Sequence, residues 1–251
     1  MGVVIFIGAG PGAADLITVR GAQRLKQADV VLFDALTDPA LRELAPHARW
    51  VNVGKRGFAD STGQSTINAL LVKHARDVNV VVRLKGGDPS VFGRLEEELE
   101  ALAAAGIACE VVPGVTAAIA AAASTLRPLT RRGNGRSVSL TTAMTREGAL
   151  NATRTADTEV FYMAGKQLAA LSRRLIQAGW PADTPASVVS RAGWPDQLQS
   201  DHRVDALRDA TVLHAGRPTV VTVGAGAAAL TTLKAIRPAA TLPVGAETTK
   251  P

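Results

Sequence analysis

The sequence predicts an α/β protein of two domains. In the first half of the chain, short apolar runs that read as buried strands alternate with helices of 3.6-residue periodicity, which is the pattern of a parallel sheet. In the second half, strand candidates follow one another with only one clear helix between them, which indicates a mixed sheet. We predict a mainly parallel five-stranded α/β domain over 1–126, a linker over 127–136, a mixed-sheet α/β domain over 137–236 and a disordered tail over 237–251.

The composition is that of an ordinary globular protein. The chain has 251 residues, of which 47% are hydrophobic and 20% charged, and no run approaches the roughly 18 apolar residues of a membrane span. The single cysteine, Cys109, excludes an internal disulfide, and residues 1–12 lack the basic start and long apolar stretch of a signal peptide. We therefore expect a cytoplasmic protein without membrane association. We also expect no metal site, because the histidines are scattered: His47, His74, His202 and His214.

The positive charge of the chain favours an anionic small-molecule partner. The net charge is +6, and four arginines lie within 127–136. An excess of positive charge also suits binding of nucleic acid. However, aromatic residues make up only 4% of the chain, and none are interleaved with basic segments, as a surface that stacks single-stranded bases requires. Nucleic acid is therefore not expected. A solvated basic surface without any anionic partner remains the alternative.

The first strand, Val3–Ile7, ends in the glycine turn Gly8–Ala13. This turn matches the dinucleotide pattern Gly-x-Gly-x-x-Ala, and Asp34 ends the next strand, Val30–Phe33, where a ribose-binding acid would stand. A dinucleotide site also needs a helix that begins within the turn. Here the helical pattern begins only after Thr18, a plausible N-cap, so a nicotinamide or flavin site is the weaker interpretation.

The next elements repeat this order of strand, glycine turn and helix. A short helix near 39–44 precedes the strand Trp50–Val53, which ends in Gly54-Lys55-Arg56-Gly57, and Gln64–Arg76 is helical. The fourth strand, Val78–Val82, leads into the most informative run of the chain, Arg83 to Arg94. There, Gly86-Gly87-Asp88-Pro89 turns the backbone, and two arginines and a lysine without an evident partner carry more charge than a turn requires. A well-capped strand-to-helix turn is the alternative.

The remaining elements complete both domains. The helix that begins after Gly93 is closed by Gly106, and the strand Ile107–Val112 is followed by an alanine-rich helix over 117–124. Alanine there permits close helix packing or the approach of a ligand to the backbone. The second domain contains one clear helix, at 167–178. Its five strand candidates lie at 137–142, 159–163, 185–191, 197–204 and 218–223.

Seven motifs stand together in an order and spacing that resemble the tetrapyrrole methylase family, and within it the branch that methylates uroporphyrinogen III. The resemblance covers roughly residues 3–225. The motifs are Gly8–Gly12, Asp34 after its strand, Val53–Arg56, Arg83–Arg94, Val112–Ala118, Pro128–Thr130 and Phe161–Met163.

The resemblance implies two α/β domains with S-adenosylmethionine in the cleft between them, usually in a homodimer. It implies methylation of uroporphyrinogen III at C2 and C7, which gives precorrin-2 by way of precorrin-1, for sirohaem, cobalamin or haem d1 synthesis. The cofactor would be held mostly by the backbone, and the glycines and alanines at its positions are consistent with close approach to the main chain. The nine positions are Pro11, Gly86, Gly87, Asp88, Val91, Thr116, Ala117, Met163 and Ala192.

The resemblance also implies roles for charged residues near the substrate. Asp34 and Lys55 correspond to a family acid and lysine, and Arg94, Glu97 and Arg132 match positions that face the tetrapyrrole. We hypothesise that Arg94 or Asp34 takes part in proton removal, while Lys55, Arg56 and Arg132 hold substrate carboxylates. The alternatives are a helix cap for Asp34, a solvated turn for Lys55 and Arg56, and core packing for Met163.

Three histidines that the family usually has near the substrate are replaced in this chain. Arg131 stands where the family has His, Thr141-Thr142-Ala143 replaces Thr-Gly-His, and Asp60–Gln64 replaces a run that begins with His. Two alternatives therefore stay open: a methylase of another tetrapyrrole, and a non-catalytic relative that binds cofactor or tetrapyrrole.

Overall fold

The computed structural model describes residues 2–54, 63–143, 150 and 152–230. The chain forms two compact units, one that ends at Thr116 and one that begins at Ala117. The sequence predicts this boundary at 126 instead. The helix at 117–124 groups with the second unit because its Ala118 packs against Val160 and Val220.

The described part of the first unit contains a five-stranded parallel sheet, as predicted. The strand order is β3-β2-β4-β1-β5, and each neighbouring pair runs parallel. The carboxyl ends of all these strands therefore lie at one edge of the sheet, where α/β proteins bind ligands. The strands are β1 (Val3–Gly8), β2 (Val30–Phe33), β3 (Arg49–Asn52), β4 (Val80–Lys85) and β5 (Cys109–Val112).

Helices and apolar side chains cover both faces of this sheet. Alternate residues of β1 point to opposite faces, so that Ile5 and Ile7 belong to one buried cluster and Val4 and Phe6 to another. Burial on both faces explains why these strands are continuous apolar runs. The helices of this unit are α1 (Val19–Leu25), α2 (Gln64–Asp77) and α3 (Leu95–Ala104), with short 3₁₀ helices at Ala14–Leu16 and Pro39–Leu44.

The turn after β1 is not built like a dinucleotide-binding turn. Helix α1 begins only at Val19, and the Thr18 hydroxyl caps it by accepting a hydrogen bond from the Gly21 amide at 3.0 Å. In addition, β1 lies between β4 and β5, whereas the usual dinucleotide-binding order places the first strand beside the second. Both observations weigh against a nicotinamide or flavin site.

The fourth strand differs from its prediction. It spans Val80–Lys85, whereas the sequence predicts a strand over Val78–Val82. The strand extends through Arg83 and Lys85 because their charges are compensated in the interior, as described below. The Gly106 prediction is confirmed, since this glycine follows α3 with a φ of +66°.

The described part of the second unit contains a mixed five-stranded sheet in the order β6-β7-β10-β8-β9. Strands β6 and β7 are parallel, and the other neighbours are antiparallel, so the predicted mixed sheet is confirmed. The elements are α4 (Ala117–Ser124), β6 (Val138–Thr142), β7 (Thr158–Tyr162), α5 (Leu168–Gln177), β8 (Pro185–Ser190), β9 (Leu198–Arg203) and β10 (Thr219–Gly224), with 3₁₀ helices at Val204–Ala210 and Ala225–Ala227.

The core of the second unit lies under α5. Phe161, Leu171 and Val221 are buried together in one cluster. The predicted linker is attached to this unit at its start, because the buried Arg127 forms a two-pronged ion pair with Asp201. The predicted tail over 237–251 lies outside the described residues. Among the residues that the structure describes, no helix has the length and apolar character needed to cross a membrane.

Candidate active site

Three turns meet at the carboxyl edge of the first sheet, because β4, β1 and β5 are neighbours. The Gly87 amide donates to the Gly10 carbonyl at 2.7 Å, and the Gly10 amide donates to the Gly87 carbonyl at 3.3 Å. The Asp88 carboxylate accepts a hydrogen bond from the Gly114 amide at 2.9 Å. The sheet therefore brings together turns at Gly10, Gly87 and Gly114 that are far apart in sequence.

Gly8 makes this close meeting possible. A Cβ atom at this position would lie 2.5 Å from the Gly114 Cα and 2.7 Å from the Gly87 carbonyl oxygen, both of which are backbone atoms. Gly87 adopts a φ of +71°, a conformation that favours glycine. Bare main chain is thus required where the three turns converge.

The predicted cofactor residues of the first unit all belong to these turns: Pro11, Gly86, Gly87, Asp88, Val91 and Thr116. Asp88 braces its own turn, because its second carboxylate oxygen accepts from the Ser90 amide at 2.8 Å. At Gly86, a Cβ atom would meet only the Leu36 side chain, at 3.4 Å. The backbone of these turns is therefore not covered by side chains, and a ligand could be held largely by contacts with the backbone.

Asp34 is held by an arginine of the neighbouring strand. It follows β2, and its carboxylate accepts from Nη2 of Arg83 on β4 at 2.8 Å. The side chain of Asp34 keeps 32% of its surface exposed, whereas that of Arg83 keeps 3%. The helix-cap alternative for Asp34 is wrong, because the helix at 39–44 is capped by Asp38, which accepts from the Ala40 amide at 2.9 Å.

A buried carboxylate, Glu98, holds both cations of β4. Its Oε1 atom accepts from Nε of Arg83 at 2.9 Å, and its Oε2 atom accepts from Nζ of Lys85 at 2.6 Å. The Glu98 side chain has no exposed surface. Together with Asp34, these residues form an array of two cations and two carboxylates whose formal charges cancel, as burial of ionised groups requires.

The expectation that the cations of this run lack partners is therefore wrong. Arg83 and Lys85 stand two residues apart and so share one face of β4, and Glu98 on α3 covers that face. The sequence contained a signal for this arrangement. Two cations on one face of a central strand need a buried acid, and Glu98 is the acidic residue of the first turn of α3 that is buried.

The array shifts the pKa values of its two cations in opposite directions. Burial lowers the pKa of Arg83, but Asp34 and Glu98 outweigh that effect and hold it above its ordinary value. The pKa of Lys85 lies below its ordinary value because of burial and the neighbouring Arg83 charge, which outweigh the attraction of Glu98. Arg83 is therefore a permanent cation beside Asp34.

Arg94 and Glu97 form a second, exposed pair. Nε and Nη2 of Arg94 each donate to one carboxylate oxygen of Glu97 at 2.7 Å. The hydrogen bonds to Glu97 raise the pKa of Arg94 despite slight desolvation. A guanidinium with a raised pKa is a poor proton acceptor and a good binder of carboxylates.

Backbone strain concentrates near the predicted site residues. The described residues include five non-glycine residues with positive φ: Phe92, Arg94, Leu126, Met163 and Arg191. Arg94 and Met163 are themselves predicted site residues, and Phe92 and Arg191 adjoin the predicted Val91 and Ala192. Such conformations cost on the order of 1–3 kcal/mol each and cluster at functional sites.

In the second unit, Met163 and Ala192 lie at the same edge of the sheet. Tyr162 at the end of β7 and Ser190 at the end of β8 both pair with the start of β10. The Tyr162 hydroxyl accepts from the Ala118 amide at 3.3 Å, which brings the start of α4, and with it Ala117, to this edge. The core-packing alternative for Met163 is wrong, because this residue is 54% exposed.

The remaining predicted residues are less informative. Lys55 and Arg56 lie outside the described residues. Arg132 is exposed, and Arg131, where the family has His, donates from Nη2 to the Ala228 carbonyl. Within the described ranges, no group of three or more His, Cys, Asp or Glu side chains is placed to hold a metal ion.

Residues 3–208 match the family described as Tetrapyrrole (Corrin/Porphyrin) Methylases. The chain belongs to this family. The prediction that it is a methylase of the tetrapyrrole family is thereby confirmed, and the dinucleotide alternative is not supported.

Curated relatives agree with this assignment. A protein of Pseudomonas aeruginosa named uroporphyrinogen-III C-methyltransferase is 41% identical over 228 residues, which cover 89% of this chain and 93% of that protein. A siroheme synthase of Edwardsiella ictaluri is 47% identical over 193 residues, which cover 75% of this chain but only 42% of the relative. This tetrapyrrole methylase thus spans less than half of the longer relative.

A solved structure shows the same two-domain fold. The uroporphyrin-III C-methyl transferase of Thermus thermophilus, complexed with S-adenyl homocysteine, superimposes with a TM-score of 0.78 at 34% identity and covers 89% of this chain and 97% of that one. The predicted fold class of this tetrapyrrole methylase is confirmed.

Proposed function

We propose that this chain transfers methyl groups from S-adenosylmethionine to C2 and C7 of uroporphyrinogen III, giving precorrin-1 and then precorrin-2, for sirohaem, cobalamin or haem d1 synthesis. The observation that carries the proposal is the convergence of the turns at Gly10, Gly87 and Gly114 beside Asp34, in a chain 41% identical to a uroporphyrinogen-III C-methyltransferase. Family membership supports the reaction class, and the turns support backbone binding of the methyl donor.

We propose that the methyl donor contacts the turn residues Pro11, Gly86–Asp88, Val91 and Thr116 of the first unit, and Ala117, Met163 and Ala192 of the second. The glycines allow main-chain approach, and the exposed Met163 offers an apolar contact. When bound, S-adenosylmethionine supplies a methyl group already activated on a sulfonium. The residues of the chain mainly have to orient the reactants, and orientation can lower a barrier by roughly 7–11 kcal/mol.

Proton removal from the methylated ring is assigned to Asp34. Its carboxylate is partly exposed and is oriented by Arg83 at 2.8 Å, and a carboxylate can accept a proton directly. Arg94 is the weaker candidate because its pKa is raised by Glu97. We propose instead that Arg94, with Glu97 and Arg132, faces the substrate.

Uroporphyrinogen III carries eight carboxylates, so cations are needed to hold it. Arginine binds carboxylates through two parallel hydrogen bonds, and lysine acts as a point charge. We propose that Arg94 and the exposed Arg132 take part, together with Lys55 and Arg56, which lie outside the described residues. We also propose a homodimer, as the resemblance implies, and a cytoplasmic location and no metal requirement, as the single cysteine and the scattered histidines indicate.

Counting transferred methyl groups tests the function. The protein is incubated anaerobically with uroporphyrinogen III and donor bearing a CD₃ group, and the product is analysed by mass spectrometry. Two CD₃ groups per macrocycle are expected. A product with a single group would contradict the second methylation. If no product forms but S-adenosylhomocysteine still binds, the result would favour a non-catalytic relative. If only a different tetrapyrrole is methylated, the result would favour a methylase of another tetrapyrrole.

A further inference from the structure

The buried array beneath Asp34 contains one carboxylate that serves two cations. Oε1 of Glu98 accepts from Arg83 at 2.9 Å and, at 3.3 Å, from the Gln64 amide, while Oε2 accepts from Lys85 at 2.6 Å. Both cations and the carboxylate are nearly or entirely removed from solvent. Only Asp34, at the outer end of the array, reaches the surface.

The order of contacts runs in one direction, from the interior to the site edge. Glu98 holds Nε of Arg83, and the same guanidinium presents Nη2 to Asp34. Arg83 also directs Nη1 toward the Leu84 carbonyl at 3.3 Å, which leaves its plane little freedom. The position of Asp34 therefore depends on a residue that lies behind it.

We propose that Glu98 is a positioning residue for the methyl-transfer reaction: it fixes the plane of Arg83 and thereby orients the carboxylate of Asp34. This inference rests on the proposed function, in which Asp34 accepts the proton. Glu98 touches neither reactant, so its effect on the reaction passes through Arg83. Lys85 neutralises the second oxygen of Glu98 and keeps the array uncharged.

The hydrogen bonds that hold the methyl-donor turns together do not involve Glu98. Gly10 and Gly87 bind each other, and Asp88 binds Ser90 and Gly114. Loss of Glu98 should therefore impair turnover without weakening the binding of S-adenosylhomocysteine. A general loosening of the first unit would impair both.

The variant Glu98→Gln separates these outcomes. A carboxamide replaces one of the two acceptor oxygens by an NH2 donor, so either Arg83 or Lys85 then faces a donor instead of an acceptor. We expect kcat to fall roughly 100-fold, as a misplacement of about 1 Å can produce, while the dissociation constant of S-adenosylhomocysteine, measured by calorimetry, changes by less than about threefold. The matched control is Glu100→Gln on the exposed side of the same helix, which should retain wild-type kcat. An unchanged kcat in Glu98→Gln, or an equal loss of binding, would overturn the inference.

A double variant keeps the inference testable if Glu98→Gln does not fold. Lys85→Met combined with Glu98→Gln again balances the charges, because Arg83 and Asp34 remain, and it frees the amide oxygen for Nε of Arg83. We expect the double variant to recover kcat to within about tenfold of the wild type. If it folds but stays as inactive as Glu98→Gln, orientation through Arg83 is not the role of Glu98.

Failure of the proposed function would be seen separately. If the wild-type protein does not methylate uroporphyrinogen III, the function is contradicted, and the inference is judged from a crystal structure of Glu98→Gln. Loss of the 2.8 Å contact between Arg83 and Asp34 is expected there, and its retention would overturn the inference.

Discussion

Replacing Gly8 by alanine should weaken binding of the methyl donor, because this position is where the three turns touch. The new Cβ atom would lie 2.5 Å from the Gly114 Cα, 2.6 Å from its amide nitrogen and 2.7 Å from the Gly87 carbonyl oxygen. Ordinary van der Waals contact begins at 3.4 Å, so the shortest of these contacts is about 0.9 Å too close. All three neighbours are backbone atoms, which cannot avoid the clash by a rotamer change.

The strain must therefore move the turns or reduce stability. Overpacking of this kind typically costs 1–3 kcal/mol. If the turn at Gly87 moves to relieve the clash, the same energy appears as a loss of affinity, and each 1.4 kcal/mol corresponds to a tenfold change. We expect the dissociation constant of S-adenosylhomocysteine to rise by roughly one to two orders of magnitude.

The assay is isothermal calorimetry with S-adenosylhomocysteine, accompanied by thermal unfolding of the unliganded protein. The matched control is Gly63→Ala, because a Cβ atom there would meet only the Ser65 and Thr66 hydroxyls at 3.7 and 3.9 Å. The control should bind like the wild type. A folded Gly8→Ala protein with wild-type affinity would refute the assignment of the donor to these turns.

Three further predictions address the site and the stability of the fold. Arg94→Ala should strongly reduce turnover of uroporphyrinogen III, because a guanidinium that holds a substrate carboxylate is lost, yet leave S-adenosylhomocysteine affinity intact. Unchanged turnover would show that its assigned role is wrong. Met163→Ala should weaken S-adenosylhomocysteine binding. Because Met163 is 54% exposed, the free energy of unfolding should change by less than about 0.5 kcal/mol, as is usual for surface positions. Unchanged affinity would show that Met163 does not contact the methyl donor. Acidification from pH 7.5 to 5.5 should lower the free energy of unfolding, since His74 and His214 have pKa values below 6.5 in the folded protein, mainly through burial.

The sign of the pH effect follows from proton binding. Below pH 6.5 the unfolded chain takes up protons that the folded histidines do not yet accept, so unfolding becomes more favourable by at most about 1.4 kcal/mol per pH unit for each histidine. Urea unfolding at the two pH values measures the change. His74→Gln should reduce this slope. A stability that rises on acidification would contradict the prediction.

Much of the fold could be predicted because local sequence patterns specify many of the strands and helices. The strand at Val30–Phe33 and the helix at Ala117–Ser124 agree with their predicted bounds, since an apolar run or an alanine run ended by turn residues is readable without knowledge of any partner. The predicted fourth strand ends three residues too early, because Arg83 and Lys85 are of a type that usually lies at the surface. Their place in the interior depends on Glu98, a long-range partner that periodicity does not reveal.

The sequence by itself determined that β1, β3, β4 and β5 each lead into a turn that contains glycine, and which of these turns belong to the family motifs. Only the tertiary structure decided that β1 lies between β4 and β5, so that Gly10, Gly87 and Gly114 meet, and that Glu98 neutralises two buried cations behind Asp34. The physical reason is that the order of strands and the pairing of buried charges depend on contacts between distant residues, whereas turns and helix ends depend on the conformational preferences of a few neighbours.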